Sequence, residues 1–309
     1  GAEFINIPKI SLSTADQLKF SEGVFDVFSS TPESVKDFST NPLPGVFGLR
    51  RSELEEPVEL AAGELPGIHL DGINISLDEE LLVDAPGGRV DVKGSQLIAG
   101  TKAIGGRIAL TGEAINVDGD SELIATGRRG GGLIEVGGSW QNSDTSVRQA
   151  VTTQIEQGAV LDASAIRNGD GGEIVVRSDI SNAESVTSVA GTLLAKGGRK
   201  GGDGGRIETS GAELILKADL EAHAGSVDGQ PGLWLQDPYD YTIDTLVASN
   251  ISSSLNSGTN VTVSTATSGQ GSTGGGSGDI TVSSIIDKSG GATASLSLEA
   301  DNDIFISNV

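Results

Sequence analysis

Gly-Gly steps separate short runs of alternating residues along most of this chain. Two of these steps, Gly171-Gly172 and Gly204-Gly205, lead directly into the runs EIVV and RIET. Runs of about four to six residues that end at Gly or a polar turn are typical of short β-strands in a repeat. A unit this short cannot bury its apolar face alone, so successive units must stack on one another. The pattern therefore predicts a solenoid coiled around one narrow core.

The strand pattern predicts an all-β fold, a right-handed parallel β-helix with loop or hairpin excursions. Residues alternate at period two in 73–77, 90–92, 108–110 and 115–117, which places one set of side chains in the core and the other outside. The Gly-Gly steps begin at residues 87, 105, 131, 171 and 204, so their spacings are 18, 26, 40 and 33 residues. We expect irregular coils of about 22 residues, about eleven coils in 67–309 and a rod about 50 Å long.

Composition fits a narrow aliphatic core and narrows the classes of partner. Hydrophobic residues make up 36% of the chain, aromatic residues only 4%, and Gly occurs 45 times. The net charge of −23 argues against nucleic acid and anionic membrane surfaces, because both would need a basic face. No stretch reaches 18 apolar residues, so no membrane-spanning helix is expected. Cys is absent, which excludes disulfides.

Several motifs resemble one family of exported proteins. Residues 204–211 (GGRIETSG) followed by 234–238 (WLQDP) resemble the G-G-x-[IV]-E-T-S-G and W-L-[LQ]-D-P motifs of filamentous-haemagglutinin-like exoproteins, which are secreted by the two-partner route and include high-molecular-weight adhesins. Residues 14–20, 85–90, 132–141 and 193–198 are similar to the same family in the same order. The resemblance runs from about residue 5 to the end of the chain.

The resemblance implies a secreted, surface-displayed adhesin segment that acts as a rigid rod for attachment. Its implied partners are an outer-membrane transporter pore during export and a host-cell, surface or carbohydrate receptor. A chain without cysteines also suits threading through a pore, since a cross-linked loop would jam. The family's NPNG-type motif is absent and GAEF is not a natural start, so we expect a piece of a longer protein without its export signal.

The sequence divides at about residue 66. Six of the seven Phe residues fall within 1–48, which predicts a cap and the end of the secretion domain that the pore recognises. Residues 49–66 are acidic and lack a Gly-Gly step, so we expect an excursion there. Residues 67–309 are expected to form the rod, with further excursions near 139–158 and 268–278. Contacts with a receptor would lie in these excursions, because loops carry specificity.

The search for catalytic chemistry assigns no catalytic, cofactor-binding or metal-binding residue. The two histidines, His69 and His223, lack partners at zinc-ligand spacing, and alternation makes His223 an outward turn residue. No G-x-S-x-G motif occurs, and the Gly-rich steps precede strands instead of helices. Trp140 and Trp234 each follow an apolar-Gly run and are expected in the core or a cap, not as sugar-stacking platforms.

Carboxylate clusters keep one enzyme alternative open. Pectin-cleaving enzymes with β-helical folds use such clusters on one sheet face, sometimes with calcium. Two groups of acids occur here, but no Arg, Lys or His flanks either in sequence; they are Asp118, Asp120 and Glu122, and Asp237, Asp240 and Asp244. Calcium at 118–120 or 301–303 is a further alternative, although Asp-x-Asp in a turn more often serves turn geometry. A polysaccharide-acting enzyme or carbohydrate-binding module therefore remains the alternative to the non-enzymatic adhesin rod.

The step Gly204-Gly205 yields a sharp geometric prediction. Neighbouring coils of a β-helix press close at their corners, and Gly leaves no side chain between them. We therefore expect both residues at a corner, with at least one at positive φ.

Overall fold

Three columns of parallel strands wind around one apolar core. The computed structural model describes residues 7–15, 67–217, 223–226, 228–265 and 276–307, with only the backbone of the strand residues 3–4, 17–20, 23–26, 48–49 and 221–222. The expected excursion at 49–66 and most of the Phe-rich segment lie outside the described residues. Residues 266–275, which include most of the expected excursion at 268–278, also lie outside them. The fold is the predicted parallel β-helix.

Each column forms one face of the helix, and two long strands turn the corner between the first and second faces. The first face stacks, in order, Lys9–Ser13, the first half of Glu80–Lys93, the first half of Arg107–Val117, Leu133–Val136, Glu173–Arg177, Arg206–Ser210, Leu233–Asp237, Asn260–Ser264 and Leu296–Glu299. The second face stacks Gly67–Asp71, the second halves of the same two long strands, Thr152–Ile155, Val186–Val189 and Glu213–Leu216. The third face stacks Glu3–Phe4, Asn74–Leu77, Gln96–Ala99, Glu122–Ile124, Val160–Asp162, Thr192–Leu194 and Glu221–His223.

Further elements depart from the three faces. Gln17–Phe20 pairs antiparallel with Gly23–Asp26 and Gly48–Leu49. After the first-face strand that ends at Asp237, a separate parallel sheet is formed by Tyr241–Ile243, Ile280–Val282 and Ile304–Ile306. The helix Thr245–Asn256 follows its first strand.

The core consists of side chains stacked in register from coil to coil. On the first face, one inward column is fully buried; it consists of Leu81, Ile108, Ile134, Ile174, Ile207 and Trp234. Such a column explains the aliphatic composition, because a narrow cross-section accommodates branched side chains better than many aromatic rings. Parallel pairing on both sides of each interior strand satisfies the backbone polar groups.

The predicted coil length is wrong. Arg107 pairs with Leu133, 26 positions later, and the next two steps along the first face span 40 and 33 positions, to Glu173 and Arg206. These are the spacings of the Gly-Gly steps from residue 105 onward, so each of those steps marks one coil. Gly87-Gly88 instead lies inside the strand Glu80–Lys93, between two faces of one coil. Eight first-face strands therefore lie between Glu80 and Glu299, and their seven steps give a rise of about 34 Å, not 50 Å.

The corner position of Gly204-Gly205 is confirmed, but the expected positive φ is wrong. Neither residue is among the glycines with positive φ. A Cβ on Gly204 would lie 1.8 Å from the Ala224 carbonyl oxygen, and one on Gly205 would lie 2.0 Å from that of Gly172. Gly is therefore required by close approach of the coils, not by backbone conformation.

Candidate functional site

Polar side chains form one outward row on the second face. His69 pairs in register with Asp91, Asp91 with Asn116, and Asn116 with Gln154. Adjacent members of such a row are about 4.8 Å apart, the spacing between strands. Asp91, Asn116 and Gln154 are each the middle residue of an alternating triplet, which is why their side chains face outward while their neighbours are buried.

Two depressions of about 450 and 420 Å³ join along this row into a single surface, here called the second-face groove. Arg89, Asp91, Asn116 and Glu156 line both depressions. The His69 Nδ1 atom lies 2.8 Å from Asp91 Oδ2, and Arg89 also contacts this carboxylate. The Oδ1 atom of Asn116 is buried and has no hydrogen-bond partner within the part of the chain that the structure describes. The groove thus offers planar amide and carboxylate groups to a polar ligand.

The carboxylates at 118–122 do not converge on this groove as a cluster. Asp118 Oδ1 accepts hydrogen bonds from the backbone N–H groups of Gly94 and Asp120 and from the Ser121 hydroxyl. Burial alone would raise the pKa of Asp118, but these hydrogen bonds lower it below its usual value. The Asp-Gly-Asp sequence therefore serves the turn between the second and third faces. Among the described residues, no three His, Asp or Glu side chains are placed to hold a metal ion.

The first face carries ion pairs along its outer surface. Arg107 lies 3.0 Å from Glu80 and 2.7 Å from Glu135, and Arg206 pairs with Glu173. Each of these arginines faces a carboxylate, so this face presents no extended basic patch. The guanidinium of Arg206 also lies 4.3 Å from the ring centroid of Trp140, a cation–π contact.

Residues 137–151 leave the sheet and cover part of the first face; they are here called the covering loop. The excursion predicted at 139–158 is thus shorter at its end, because Thr152–Ile155 returns to the second face as a strand. The loop is held by Arg177, which donates to the Ser139 carbonyl at 3.1 Å, the Gln149 side chain at 3.0 Å and Glu208 at 3.1 Å. Glu208 also accepts a hydrogen bond from the backbone N–H of Gln141 at 2.6 Å.

Arg177, Glu208 and Asp237 form a buried polar cluster beneath this loop. Arg177 and Asp237 align in register with the strand residue between them, Ser210, whose hydroxyl donates to Glu208. Arg177 is 1% exposed and Glu208 is not exposed at all. No basic residue flanks Asp237 in the sequence, but the fold places Arg177, from two coils earlier, close to it. The expectation that this acidic group lacks a basic neighbour is therefore wrong.

Burial dominates the titration of this cluster. Loss of solvent raises the pKa of Glu208, although the charge of Arg177 opposes the shift. Burial, with the nearby Glu208 charge, raises the pKa of Asp237 to about 7, again against the attraction of Arg177. Raised carboxyl pKa values are also found in the general acids of glycosidases. Here, however, the covering loop separates Arg177 and Glu208 from solvent, so a polysaccharide could not reach them without movement of the loop.

Asp240 and Asp244 do not join Asp237. Asp240 accepts hydrogen bonds from the backbone N–H groups of Ser277, Gly278 and Asp279, at distances between 2.7 and 3.1 Å. Asp244 caps the helix by accepting from the Leu246 and Val247 N–H groups at 2.9 Å. The acidic group read from the sequence is therefore three separate structural carboxylates. At the second possible calcium site, 301–303, the Asn302 side chain and the backbone N–H of Asp303 donate to the Asp279 carboxylate of the preceding coil, at 2.8 and 3.0 Å.

The tryptophans and His223 occupy different environments. Trp234 is fully buried in the core, as expected, and its Nε1–H donates to the Thr209 hydroxyl at 3.0 Å. Trp140 is only partly buried and lies in the covering loop, over Arg206. His223 ends the strand Glu221–His223, not a turn as expected.

The sequence motifs at 204–211 and 234–238 become two consecutive first-face strands. Ile207 pairs with Trp234, Thr209 with Gln236 and Ser210 with Asp237. Contacts between adjacent coils explain the residue types of these motifs: close approach at the glycines, the Trp234–Thr209 hydrogen bond and the buried polar cluster. Asn116, Gln154, Arg177 and Glu208 were not singled out from the sequence as site residues. Asn116 and Gln154 could have been recognised as outward residues from the alternating pattern of their strands. The pairing of Arg177 with Glu208 could not, because it depends on coil register.

Solved structures similar to this chain include a bacterial secretion domain. No protein-family model matches the sequence, and no curated protein matches it. The crystal structure of the HMW1 secretion domain from Haemophilus influenzae is similar with a TM-score of 0.43 and 21% identity. The match covers 57% of this chain and 47% of that chain, so it spans about half the length of the HMW1 structure. No described helix is long and apolar enough to cross a membrane.

Proposed function

We propose that this chain is a rigid segment of a secreted exoprotein, exported through a two-partner outer-membrane pore and displayed for attachment to a cell or other surface. The observation that carries the proposal is the register of 204–211 over 234–238. The residues that resemble the exoprotein family lie together as adjacent coils of a parallel β-helix and contact one another directly.

The physical properties of the rod support this role. Each coil contacts mainly its neighbours, so coils can fold one after another as the chain emerges from a pore. The chain contains no Cys, so no disulfide can form before or during passage. Hydrogen bonds on both sides of each interior strand make the stacked coils stiff, which suits a spacer that carries an adhesive surface away from the cell.

Export is tested in a bacterium that produces the full-length protein with its cognate outer-membrane pore. We expect the protein at the cell surface or in the medium when the pore gene is present, and in the periplasm when it is deleted. A periplasmic protein of the same strain serves as the control for leakage. Equal amounts outside the cells in both strains would contradict export by the two-partner route.

A carbohydrate-binding role is the second candidate, and the second-face groove favours it. Its row of amide and carboxylate groups matches the hydroxyl groups of a saccharide, which both donate and accept hydrogen bonds. Among the described residues, no Phe, Tyr or Trp side chain lines either depression, so recognition there would depend mainly on hydrogen bonds instead of stacking. The receptor class for attachment would then be a glycan on a host cell or other surface.

Binding of immobilised glycans tests this candidate. We expect the double substitution Asn116→Ala and Gln154→Ala to abolish binding, while Asn168→Ala, at an exposed turn away from the groove, leaves it unchanged. Glycan binding that survives the double substitution would remove the groove from consideration. Release of reducing ends from a bound polysaccharide would instead favour the enzyme alternative over the non-enzymatic role proposed here.

A further inference from the structure

The ladder of the second face stops between two successive coils. Arg206–Ser210 and Leu233–Asp237 pair directly on the first face, so their coils are neighbours. The strands that follow them, Glu213–Leu216 and Tyr241–Ile243, do not pair with each other. Between them lies a cleft of about 600 Å³, here called the slot.

Among the strands that the structure describes, none pairs with the two edges that face the slot. Glu213 and Lys217 donate their N–H groups to the preceding coil, at Ser185 and Val189. Because backbone groups alternate in direction along a strand, the N–H and C=O groups of Leu214 and Leu216 point into the slot. On the opposite side, Tyr241 donates to Asp279 in the following coil, so the backbone groups of Thr242 face the slot.

The slot has the length of a short strand. At one end the two coils meet where the Gly211 N–H donates to the Asp237 carbonyl at 3.3 Å. At the other end the Asn250 side chain donates to the Lys217 carbonyl at 3.0 Å. Between these contacts lie the four residues of Glu213–Leu216. A segment that entered here would be extended over about four residues and would turn outward at both ends.

A buried, unused polar group also marks the slot. Tyr241 lines it and is only 6% exposed, yet its hydroxyl has no hydrogen-bond partner within the described ranges. A buried hydroxyl without a partner loses its hydrogen bond to water without replacement, which is unfavourable. Because the Tyr241 side chain faces the core, the packing of the core beside the slot is incomplete.

The side chains around the slot define what could enter it. Leu214 and Leu216 face the core on one side, and Tyr241 and Ile243 do so on the other, so inward positions of an added strand should be apolar. Three carboxylates, those of Glu213, Asp240 and Asp244, line the slot against one cation, Lys217, and the whole chain carries a net charge of −23. A basic segment would therefore be attracted.

We propose that the slot accepts an extended segment of a partner protein as an added β-strand, with apolar residues at alternate positions and lysine or arginine between or beside them. Main-chain hydrogen bonds to the two open edges would provide affinity, and the alternating apolar side chains would provide specificity. The added strand would complete the second face between the two coils and so join the partner to the side of the rod.

Hydrogen exchange of the complete chain tests the proposal with a synthetic heptapeptide of alternating valine and threonine flanked by lysines. In the free protein, we expect fast exchange at the amides of Leu214, Leu216 and Thr242. The peptide should protect all three amides. A second peptide, N-methylated at both central valines, cannot make the same ladder and should bind at least about tenfold more weakly, because two hydrogen bonds are lost.

Charge provides the matched substitutions. Glu213→Lys should weaken binding of the lysine peptide, whereas Glu113→Lys, at an exposed position of another coil, should not. Equal binding of the N-methylated peptide would overturn the strand-addition proposal. Slow exchange of the three amides in the free protein would also overturn it, because the slot would then be filled by this chain or a second copy. Fast exchange of these amides without any binding of the peptide would overturn it as well.

Discussion

The coils in 80–217 and the region 233–307 use the same first face but differ in the rest of each coil. In the first region, every coil contributes a strand to all three faces. In the second, Tyr241–Ile243 begins a separate sheet and the helix Thr245–Asn256 occupies the place after it, where a third-face strand would otherwise follow. The second region therefore keeps the stacking of one face while it rebuilds the other two.

The corner between the third and first faces explains part of the difference. In the first region it is formed by Gly pairs, and a Cβ at Gly105, Gly131 or Gly171 would lie about 2 Å from an oxygen of the third face. In the second region the same corner consists of Ser257, Gly258 and Thr259, which follow the helix. Close stacking at the coils that begin at Arg107, Leu133 and Glu173 thus goes with paired glycines, whereas the coil that begins at Asn260 follows a helix and has a single corner Gly.

Removal of Arg177 should give the largest effect and tests how the first region is covered. Arg177→Met leaves the Glu208 carboxylate buried without its ion-pair partner and removes the positive charge near Asp237, so we expect a loss of about 3–5 kcal/mol in the free energy of unfolding. The covering loop should also become sensitive to protease. Arg89→Met breaks a half-exposed pair and should cost about 1 kcal/mol or less.

A second substitution separates charge from packing at this cluster. Glu208→Gln in the Arg177→Met background removes one of the uncompensated charges, so it should recover part of the lost stability. A loss below about 1 kcal/mol for Arg177→Met, measured by urea unfolding, would mean that the covering loop does not depend on the buried ion pair.

The pH dependence of stability should distinguish the buried Asp237 from the hydrogen-bonded Asp240 of the second region. The pKa of Asp237 is raised to about 7, so the folded protein binds a proton that the unfolded chain releases above about pH 4. The contribution of Asp237 to the free energy of unfolding is fully present below about pH 4 and is lost as the pH rises through 7. Between pH 5 and 8 the loss amounts to about 2.5 kcal/mol, and Asp237→Asn should remove this part of the slope.

Asp240 provides a control with the opposite sign. Burial would raise its pKa, but hydrogen bonds from Asp279, Ser277 and Gly278 lower it below the usual value. Its stabilising contribution is therefore present above the unfolded pKa and lost on acidification. Denaturant unfolding at several pH values measures both effects. Identical slopes for Asp237→Asn and the parent between pH 5 and 8 would contradict the burial-driven shift.

Gly205→Val tests the close approach of coils in the first region. A Cβ there would lie 2.0 Å from the Gly172 carbonyl oxygen, so we expect steric strain of about 1–3 kcal/mol, confined mainly to adjacent coils. Limited proteolysis should show new cleavage near 198–212 while 67–130 stays protected. Gly290→Val is the control from the second region, because a Cβ at Gly290 meets no atom within 4 Å. Cleavage of Gly205→Val no faster than the parent would contradict the corner assignment.

The sequence predicted the fold class because the Gly-Gly steps and alternating triplets act locally. Coil length was misjudged because the step at residue 87 lies between two faces of one coil, yet looks the same in sequence as the steps between coils. Glycine identity alone does not reveal which corner requires it.

Features that depend on coil register could not be predicted. Arg177 meets the carbonyl of Ser139 and the carboxylate of Glu208, 38 and 31 positions away, only because 40- and 33-residue coils align them. The second-face row was visible as outward residues, but its alignment also required the coil lengths. The slot depends on where two coils diverge, for which the sequence shows no local signal. The helix did have one, since Asp244 precedes an apolar pair at a typical N-cap position.

The smallest predicted effect concerns this helix, and it tests whether the second region can change without disturbing the first. Asp244→Ala removes the acceptor of the Leu246 and Val247 N–H groups, so we expect a loss of about 1 kcal/mol. Hydrogen exchange should accelerate within Thr245–Asn256 but not in the strands of 80–217, because coils interact mainly with their neighbours. Asp287→Ala, an exposed acid of the same region, should leave exchange in the helix unchanged. Faster exchange throughout the first region as well would mean that the two regions unfold as one unit. They would then differ in structure but not in stability.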